Sequence, residues 1–260
     1  MTDHKTSRFR LLGIPIDPYT YDEWLDQIGG WVGGDDNRLH HVCTLNPEFV
    51  VIAQHDPQFF NVLNQADACV ADGTGIMIAA RILGEPLPSR ITGSDGIYQI
   101  ARRATSEGWR LFLLGAAAGV AEKVANILQN QFDGLYIAGT YAGNPADSES
   151  EAIIGLINAS GADILLVAYG APKQDLWIYQ HREHLNVRMA MGVGGAFDYV
   201  VGNVPRAPRW MRQLGFEWLY RLIKQPWRWR RMMRLPIFVW LVLRYREKPS
   251  TSRCGFKTDV

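Results

Sequence analysis

The sequence predicts an α/β fold: a Rossmann-like, mostly parallel sheet with flanking helices, carrying a basic helical appendage at its C-terminal end. Three observations predict it. Residues 164–168 (Ile-Leu-Leu-Val-Ala) form a short aliphatic run closed by Gly170, the pattern of a strand buried on both faces of a parallel sheet. Pro172 suits the first turn of a following helix, and a second apolar run, 188–193, ends in Gly194-Gly195, so the stretch reads as one βαβ unit. Strand-like and helix-like stretches alternate from residue 10 up to this unit, which is the arrangement of a parallel sheet. The composition then changes at Pro205-Arg206. Residues 206–246 hold eleven Lys and Arg against one acid, Glu217, a net +10, while the rest of the chain carries −9.

In order, residues 10–16 read as a first strand, and Thr20-x-x-Glu23 is a capping box opening a helix to about Gly29. Residues 39–45 are the next strand. Asn46-Pro47-Glu48 supplies an N-cap, a proline at the first helical position and an acid in the first turn, for a helix to His55. Asp56-Pro57 starts another. Residues 68–71 are a short strand broken by Asp72-Gly73-Thr74-Gly75, with a helix to about Leu83 behind it. Ser94 is placed to cap a helix over 95–106. Residues 109–114 are a strong strand, ending at Gly115-Ala-Ala-Ala-Gly119 and followed by a helix to about Gln131. A strand over 135–140 and a helix over 148–159 complete the run. The spacing divides the chain into an α/β core over 1–205, an appendage over 206–246 and a tail over 247–260 expected to be disordered.

With 260 residues, 47% hydrophobic and 20% charged, the chain has the composition of a globular protein with ample core. A basic segment on an otherwise acidic chain points to an anionic partner: nucleic acid, phospholipid or nucleotide phosphate. The three cysteines, Cys43, Cys69 and Cys254, include no Cys-x-x-Cys, and two lie in strand-like runs, which suits a reducing cytoplasm. The first residues lead into no long apolar stretch, so a signal peptide is not expected. The longest apolar run, 235–243, is nine residues, too short to span a bilayer.

Several constellations could carry chemistry. Asn46 and Asp72 both follow strand ends, where ligands of open α/β sheets bind, and a carboxylate there can act as a general base. Helix capping and turn formation are the commoner uses of these residues and, on sequence chemistry alone, the preferred reading of both. Gly115-x-x-x-Gly119 resembles a dinucleotide-binding turn, but the full Gly-x-Gly-x-x-Gly is absent and no acid ends the next strand, which disfavours a nicotinamide cofactor. No Asp-x-Asp occurs and the six histidines show no metal-ligand spacing. His40 and His41, adjacent on a strand, point to opposite faces. Arg221, Lys224, Arg228 and Arg231 recur at helical spacing, although Pro226 interrupts the helix. Trp210, Trp218, Trp227, Trp229 and Trp240 interleave with this charge. That composition fits a membrane-interface segment and equally a solvated basic face with tryptophans turned inward.

Together, Thr44-Leu-Asn46-Pro47-Glu48, Ala71-Asp72-Gly73, Ser89-Arg90-x-x-Gly93-Ser94-Asp95, Gly170-Ala-Pro172-Lys173-Gln174-Asp175, Gly192-Val-Gly194-Gly195-Ala-Phe-Asp198, Gly202, Arg206-Ala207-Pro208 and Glu217-Trp218-Leu-Tyr220-Arg221 resemble the WecG/TagA/CpsF family of bacterial glycosyltransferases (glycosyltransferase family 26). The order and spacing of the set is specific, and the likeness runs from about residue 10 to about 246. The resemblance implies transfer of a sugar from a UDP-sugar to a polyprenyl-diphosphate-linked saccharide in cell-surface polysaccharide synthesis, at the inner face of the cytoplasmic membrane. It implies inversion at the anomeric carbon with no metal and no cofactor. N-acetylmannosamine, its uronic acid and glucose are the sugars it allows. It places the base on Asp72 and the acceptor side on Thr44, Asn46 and Arg90. The UDP side falls on Gln174 and the glycine-rich strand ends Gly115, Gly170, Gly194 and Gly195, with Asp198 beside them. The appendage arginines are Arg221, Arg228 and Arg231. Members usually carry Glu where this chain has Asp175. An anionic membrane surface is implied as a partner and nucleic acid is not; homo-oligomerisation stays open. Two other classes rank below this reading: a nucleic-acid-binding α/β protein using the basic segment, and a Rossmann-type oxidoreductase.

Overall fold

The computed structural model of the chain describes residues 8–203, 207–208, 211, 217–224, 226 and 229–246. A hairpin of β1 (Phe9–Leu11) and β2 (Ile14–Ile16) precedes α1 (Tyr21–Gly33). Then come β3 (His40–Leu45), α2 (Pro47–Ala53), α3 (Pro57–Gln65), β4 (Ala68–Ala71), α4 (Thr74–Ile82) and α5 (Gly93–Glu107). The second half holds β5 (Arg110–Gly115), α6 (Val120–Gln131), β6 (Tyr136–Tyr141), α7 (Asp147–Ser160), β7 (Ile164–Ala168), α8 (Lys173–His181), β8 (Met189–Gly192) and α9 (Ala196–Val200). In the basic segment lie α10 (Glu217–Lys224), α11 (Trp229–Met232) and α12 (Arg234–Arg246).

Six strands form one sheet in the order β4-β3-β8-β7-β5-β6, every pair parallel. This is the α/β architecture the sequence predicts. Strand residues alternate between two buried layers. Val42, Val70, Leu113, Leu166 and Met191 face α1, α5, α6 and α9, with Trp24 and Ile97 at the centre. Cys43, Leu45, Leu165 and Val167 face the other layer, built from α2, α3, α4, α7 and α8. Helix α2 leaves the end of β3 on one face of the sheet and α9 leaves the end of β8 on the other, so the connections diverge at the β3–β8 pair. A ligand crevice is expected at the carboxyl ends of such a pair.

Four elements differ from the sequence reading. The single strand over 10–16 is a hairpin, with Leu12 (φ 53°) and Gly13 (φ 83°) making a tight turn. It shields the edge of β4: the Asp17 N–H donates to the Cys69 carbonyl at 2.8 Å and the Asp17 carboxylate accepts from the Cys69 N–H at 2.7 Å. Helix α1 continues through Gly29-Gly30 to Gly33, because Trp24, Leu25 and Ile28 bury against the sheet and outweigh the glycine penalty. Thr92, not Ser94, caps α5, accepting from the Asp95 N–H at 3.1 Å. Pro172 sits at the N-cap of α8, one residue before its first turn.

The basic segment does not form one helix: α10 ends at Lys224 and α11 starts at Trp229, on either side of Pro226. Helix α12 contains the apolar run over 235–243 and is apolar on two faces. Phe238 and Val242, four residues apart, are buried with Phe49, Val50, Ile76 and Ala79. Ile237, Val239, Trp240 and Leu243 are exposed. The junction at Pro205-Arg206 and the 247–260 tail lie outside the described residues.

Candidate active site

A cavity of about 270 Å³ opens at the carboxyl ends of β4, β3, β8 and β7. The strand ends aim Thr44, Asn46, Asp72, Val193 and Gly194 toward it, and helices α2, α4, α5, α8 and α9 begin around it. The C-terminal segment contributes Trp218, Met232, Arg234 and Leu235 to the wall, so the basic segment closes a site that the core opens.

On the β3–β4 side, the Asp72 N–H donates to the Leu45 carbonyl at 2.6 Å, fixing the residue just past its strand. Its half-buried carboxylate accepts from the Gly93 N–H at 3.3 Å, so it faces the positive end of α5. Asn46 caps α2 through Oδ1, which accepts from the Glu48 and Phe49 N–H groups at 2.9 and 3.2 Å. The cap reading of Asn46 therefore holds, and with Oδ1 committed to it the Nδ2 donors remain at the cavity wall. Buried Thr44 donates to the Gly192 carbonyl at 3.0 Å and ties β3 to β8 beneath the floor. Arg90 donates to Thr74 Oγ1 at 3.2 Å, at the start of α4. Gly75 lets α4 begin here, since a β-carbon would stand 2.6 Å from Pro47 Cγ.

On the β7–β8 side, Gln174 is buried and bridges the two strand ends. Its Oε1 accepts from the Gly170 N–H at 3.1 Å and the Gly194 N–H at 2.9 Å. One side chain thus sets the spacing of both glycine loops. Beneath it, Asp175 is fully buried, with Oδ1 3.4 Å from His41 Nε2, and Cys43 Sγ lies 3.5 Å from the same nitrogen. Among the described residues this His-Cys-Asp trio is the group with metal-like spacing, its three ligand atoms all lying within 4.8 Å of one another. None of the three lines the cavity, so a cation held there stands behind the floor. Burial pushes the Cys43 thiol well above its ordinary pKa, with Asp175 adding to the shift, so the thiol stays protonated and the trio fits a buried hydrogen-bonded network. Tyr21 supports the rim: its oxygen accepts from the Thr92 N–H at 3.3 Å, and burial raises its pKa to about 12.

Of the residues singled out in the sequence, Thr44, Asn46, Asp72, Arg90, Gly170, Gln174, Gly194 and Gly195 line this one cavity. Gly115 does not. It packs against the Ala168 backbone at the end of β5, one strand beyond β7. Asp198 lies on α9 and accepts from Asn203 Nδ2 at 3.3 Å. Arg221 and Arg231 belong to α10 and α11, but their side chains, and Arg228 entirely, lie outside the described residues. Glu48, Thr92, Ser94, Tyr199, Trp218 and Arg234 line the cavity without having been selected from the sequence as site residues. Glu48, Ser94 and Trp218 fall within the quoted motifs, so the signal was present there; Arg234 is one of eleven cations in its segment, and nothing local marks it.

Comparison with known proteins agrees with this geometry. Residues 9–252 match the model of the glycosyl transferase WecG/TagA/CpsF family. A Bacillus spizizenii protein named N-acetylglucosaminyldiphosphoundecaprenol N-acetyl-beta-D-mannosaminyltransferase is 36% identical over 213 residues, 82% of each chain. A Bacillus subtilis protein of the same name is 34% identical over 210 residues, 81% of each chain. One from Staphylococcus aureus is 30% identical over 243 residues, 94% of this chain and 95% of its own. With its parallel sheet, its cavity at the strand ends and this match over nearly its whole length, the chain belongs to the WecG/TagA/CpsF family and is a glycosyltransferase.

Proposed function

We propose that the protein transfers a sugar from a UDP-sugar to a polyprenyl-diphosphate-linked saccharide, with inversion and without a metal, in cell-surface polysaccharide synthesis. The relatives' names favour N-acetylmannosamine as the sugar and N-acetylglucosaminyldiphosphoundecaprenol as the acceptor. The observation that carries the reading is the convergence of Asp72, Asn46 and Arg90 with the Gln174-held glycine loops on one cavity walled by the basic segment. Asp72 takes the proton of an acceptor hydroxyl as that oxygen attacks the anomeric carbon, opposite the departing diphosphate. Charge growing on the leaving group requires fixed donors. Arg90 supplies one at the cavity wall. Arg221, Arg228 and Arg231 are proposed to supply others, since guanidinium groups stay charged and engage phosphate bidentately. Among the described residues the carboxylates on the wall are Asp72 and Glu48, and Glu48 is paired with Arg234, which leaves no acidic pair to bring a divalent ion to the diphosphate.

Residues 206–246 are in this reading an appendage that both completes the site and docks to an anionic membrane on the cytoplasmic side. The outward face of α12 (Ile237, Val239, Trp240, Leu243), with Arg244 stacked over Trp240 at 5.2 Å, supports that role. No helix among the described residues is long and apolar enough to cross a membrane. The test is a screen of UDP-sugars against a short-chain lipid diphosphate bearing N-acetylglucosamine. UDP release that depends on both substrates is expected, greatest with the N-acetylmannosamine donor. No transfer from any UDP-sugar, with transfer from another nucleotide sugar, would overturn the donor assignment.

A further inference from the structure

Glu48 lines the cavity two residues after Asn46, and the reaction above gives its carboxylate no part. It stands in the first turn of α2, where an acid suits the helix dipole, and its carboxylate pairs with Arg234, 186 residues away. Arg234 is the first residue of α12, and there a cation opposes the dipole. Local preference therefore does not place Arg234 at that position; its partner does. Both side chains line the cavity, with 16% of Glu48 and 38% of Arg234 exposed. One turn further along, Phe238 is buried on the same core cluster as Phe49 and Val50 of α2, so the ion pair sits at the cavity end of the α2–α12 contact. The guanidinium has five N–H donors in a planar fork, and among the described residues its hydrogen bonding is confined to Glu48.

We propose that Glu48 and Arg234 form the latch that seats the C-terminal helix against the site, and that the remaining donors of Arg234 bind a diphosphate oxygen. The diphosphate is that of the nucleotide donor or of the lipid-linked acceptor; its presence rests on the transferase reading, whereas the latch does not. Glu48 is then a positioning residue and Arg234 a binding residue.

The experiment uses the full-length protein and four variants: Glu48→Gln, Arg234→Lys, Arg234→Ala and the swapped pair Glu48→Arg with Arg234→Glu. Three quantities are read: backbone hydrogen exchange over 237–243, the Kd of UDP by calorimetry, and KM for a short-chain lipid-diphosphate sugar. Glu48→Gln is expected to speed exchange over 237–243 by roughly tenfold, as local opening becomes easier. The swapped pair restores protection but not diphosphate binding, a split that a purely structural role does not give. Arg234→Ala is expected to weaken diphosphate binding by roughly tenfold or more, the scale of a lost charge-assisted contact, and Arg234→Lys recovers part of it. A raised UDP Kd assigns the contact to the donor; a raised acceptor KM with UDP binding unchanged assigns it to the acceptor. Unchanged exchange in Glu48→Gln overturns the latch. Unchanged Kd and KM in Arg234→Ala overturn the phosphate contact. Exchange and UDP titration need no turnover, so a failure of the transferase reading shows itself separately, as absent transfer in the unaltered protein.

Discussion

Replacing Gln174 with methionine keeps the volume of the side chain and deletes the acceptor that the Gly170 and Gly194 N–H groups share. Each N–H left without a partner in a buried setting costs about 1–3 kcal/mol. Both groups are only partly buried, so water can reach them and the lower end applies, about 2–3 kcal/mol for the pair. For a chain of this size that corresponds to a fall in Tm of roughly 5–10 °C. Gln174→Ala adds a small void, and its Tm is expected to fall further. Circular dichroism gives the stability of both variants and calorimetry their affinity for UDP. The affinity is expected to fall by about tenfold or more, because loops that close on a ligand only after binding spend part of the binding energy on ordering. A methionine variant that melts within about 2 °C of the unaltered protein would refute the idea that this one oxygen sets the loops.

Three further outcomes are expected. Asp67 is opposed by burial, but His40, the His41 N–H and Arg38 outweigh that and bring its pKa from 3.8 down to about 2. With the folded value below the unfolded one, its contribution is complete above pH 4 and disappears as pH falls toward 2; discounted for solvent, it is roughly 1–2 kcal/mol, so Asp67→Asn should lower stability at pH 7 and have little effect near pH 2. Transfer is expected to persist in excess EDTA, and a loss restored by Mg²⁺ or Mn²⁺ would show that the leaving-group chemistry is misassigned. In sedimentation with anionic vesicles the protein is expected to co-pellet at low salt, and Trp240→Glu with Leu243→Glu to release it; indifference to vesicles contradicts the docking role of the α12 face.

Much of the core was legible because its signals are local. Buried parallel strands are uninterrupted aliphatic runs, and the caps at Thr20, Asn46 and Asp56 announce α1, α2 and α3 by chemistry confined to four residues. The hairpin at Leu12-Gly13 was missed because 10–16 is apolar on both sides of the turn and a leucine occupies a left-handed position usually given to glycine or asparagine. At the candidate site, the glycine-ended strands pointed to the end of the sheet where the cavity opens, and Asp72 stood out for its position there. The cooperation between residues was not legible. Gln174 joins two loops 24 residues apart, and Glu48 meets Arg234 across most of the chain. Those contacts depend on strand order, which no local pattern specifies. The composition of the basic segment suited an interface and a core-packed face equally, and α12 has two apolar faces, one buried on the core and one exposed.

The central claim is that Asp72 is the base of the reaction, and Asp72→Asn tests it most directly. Asparagine keeps an oxygen for the Gly93 N–H, so the fold and the start of α5 are expected to be preserved, with Tm and UDP affinity close to those of the unaltered protein. Turnover with UDP-sugar and lipid-linked acceptor is expected to fall by on the order of 10²-fold or more, the usual scale for losing a general base. Near-unaltered turnover in that variant would remove Asp72 from the mechanism.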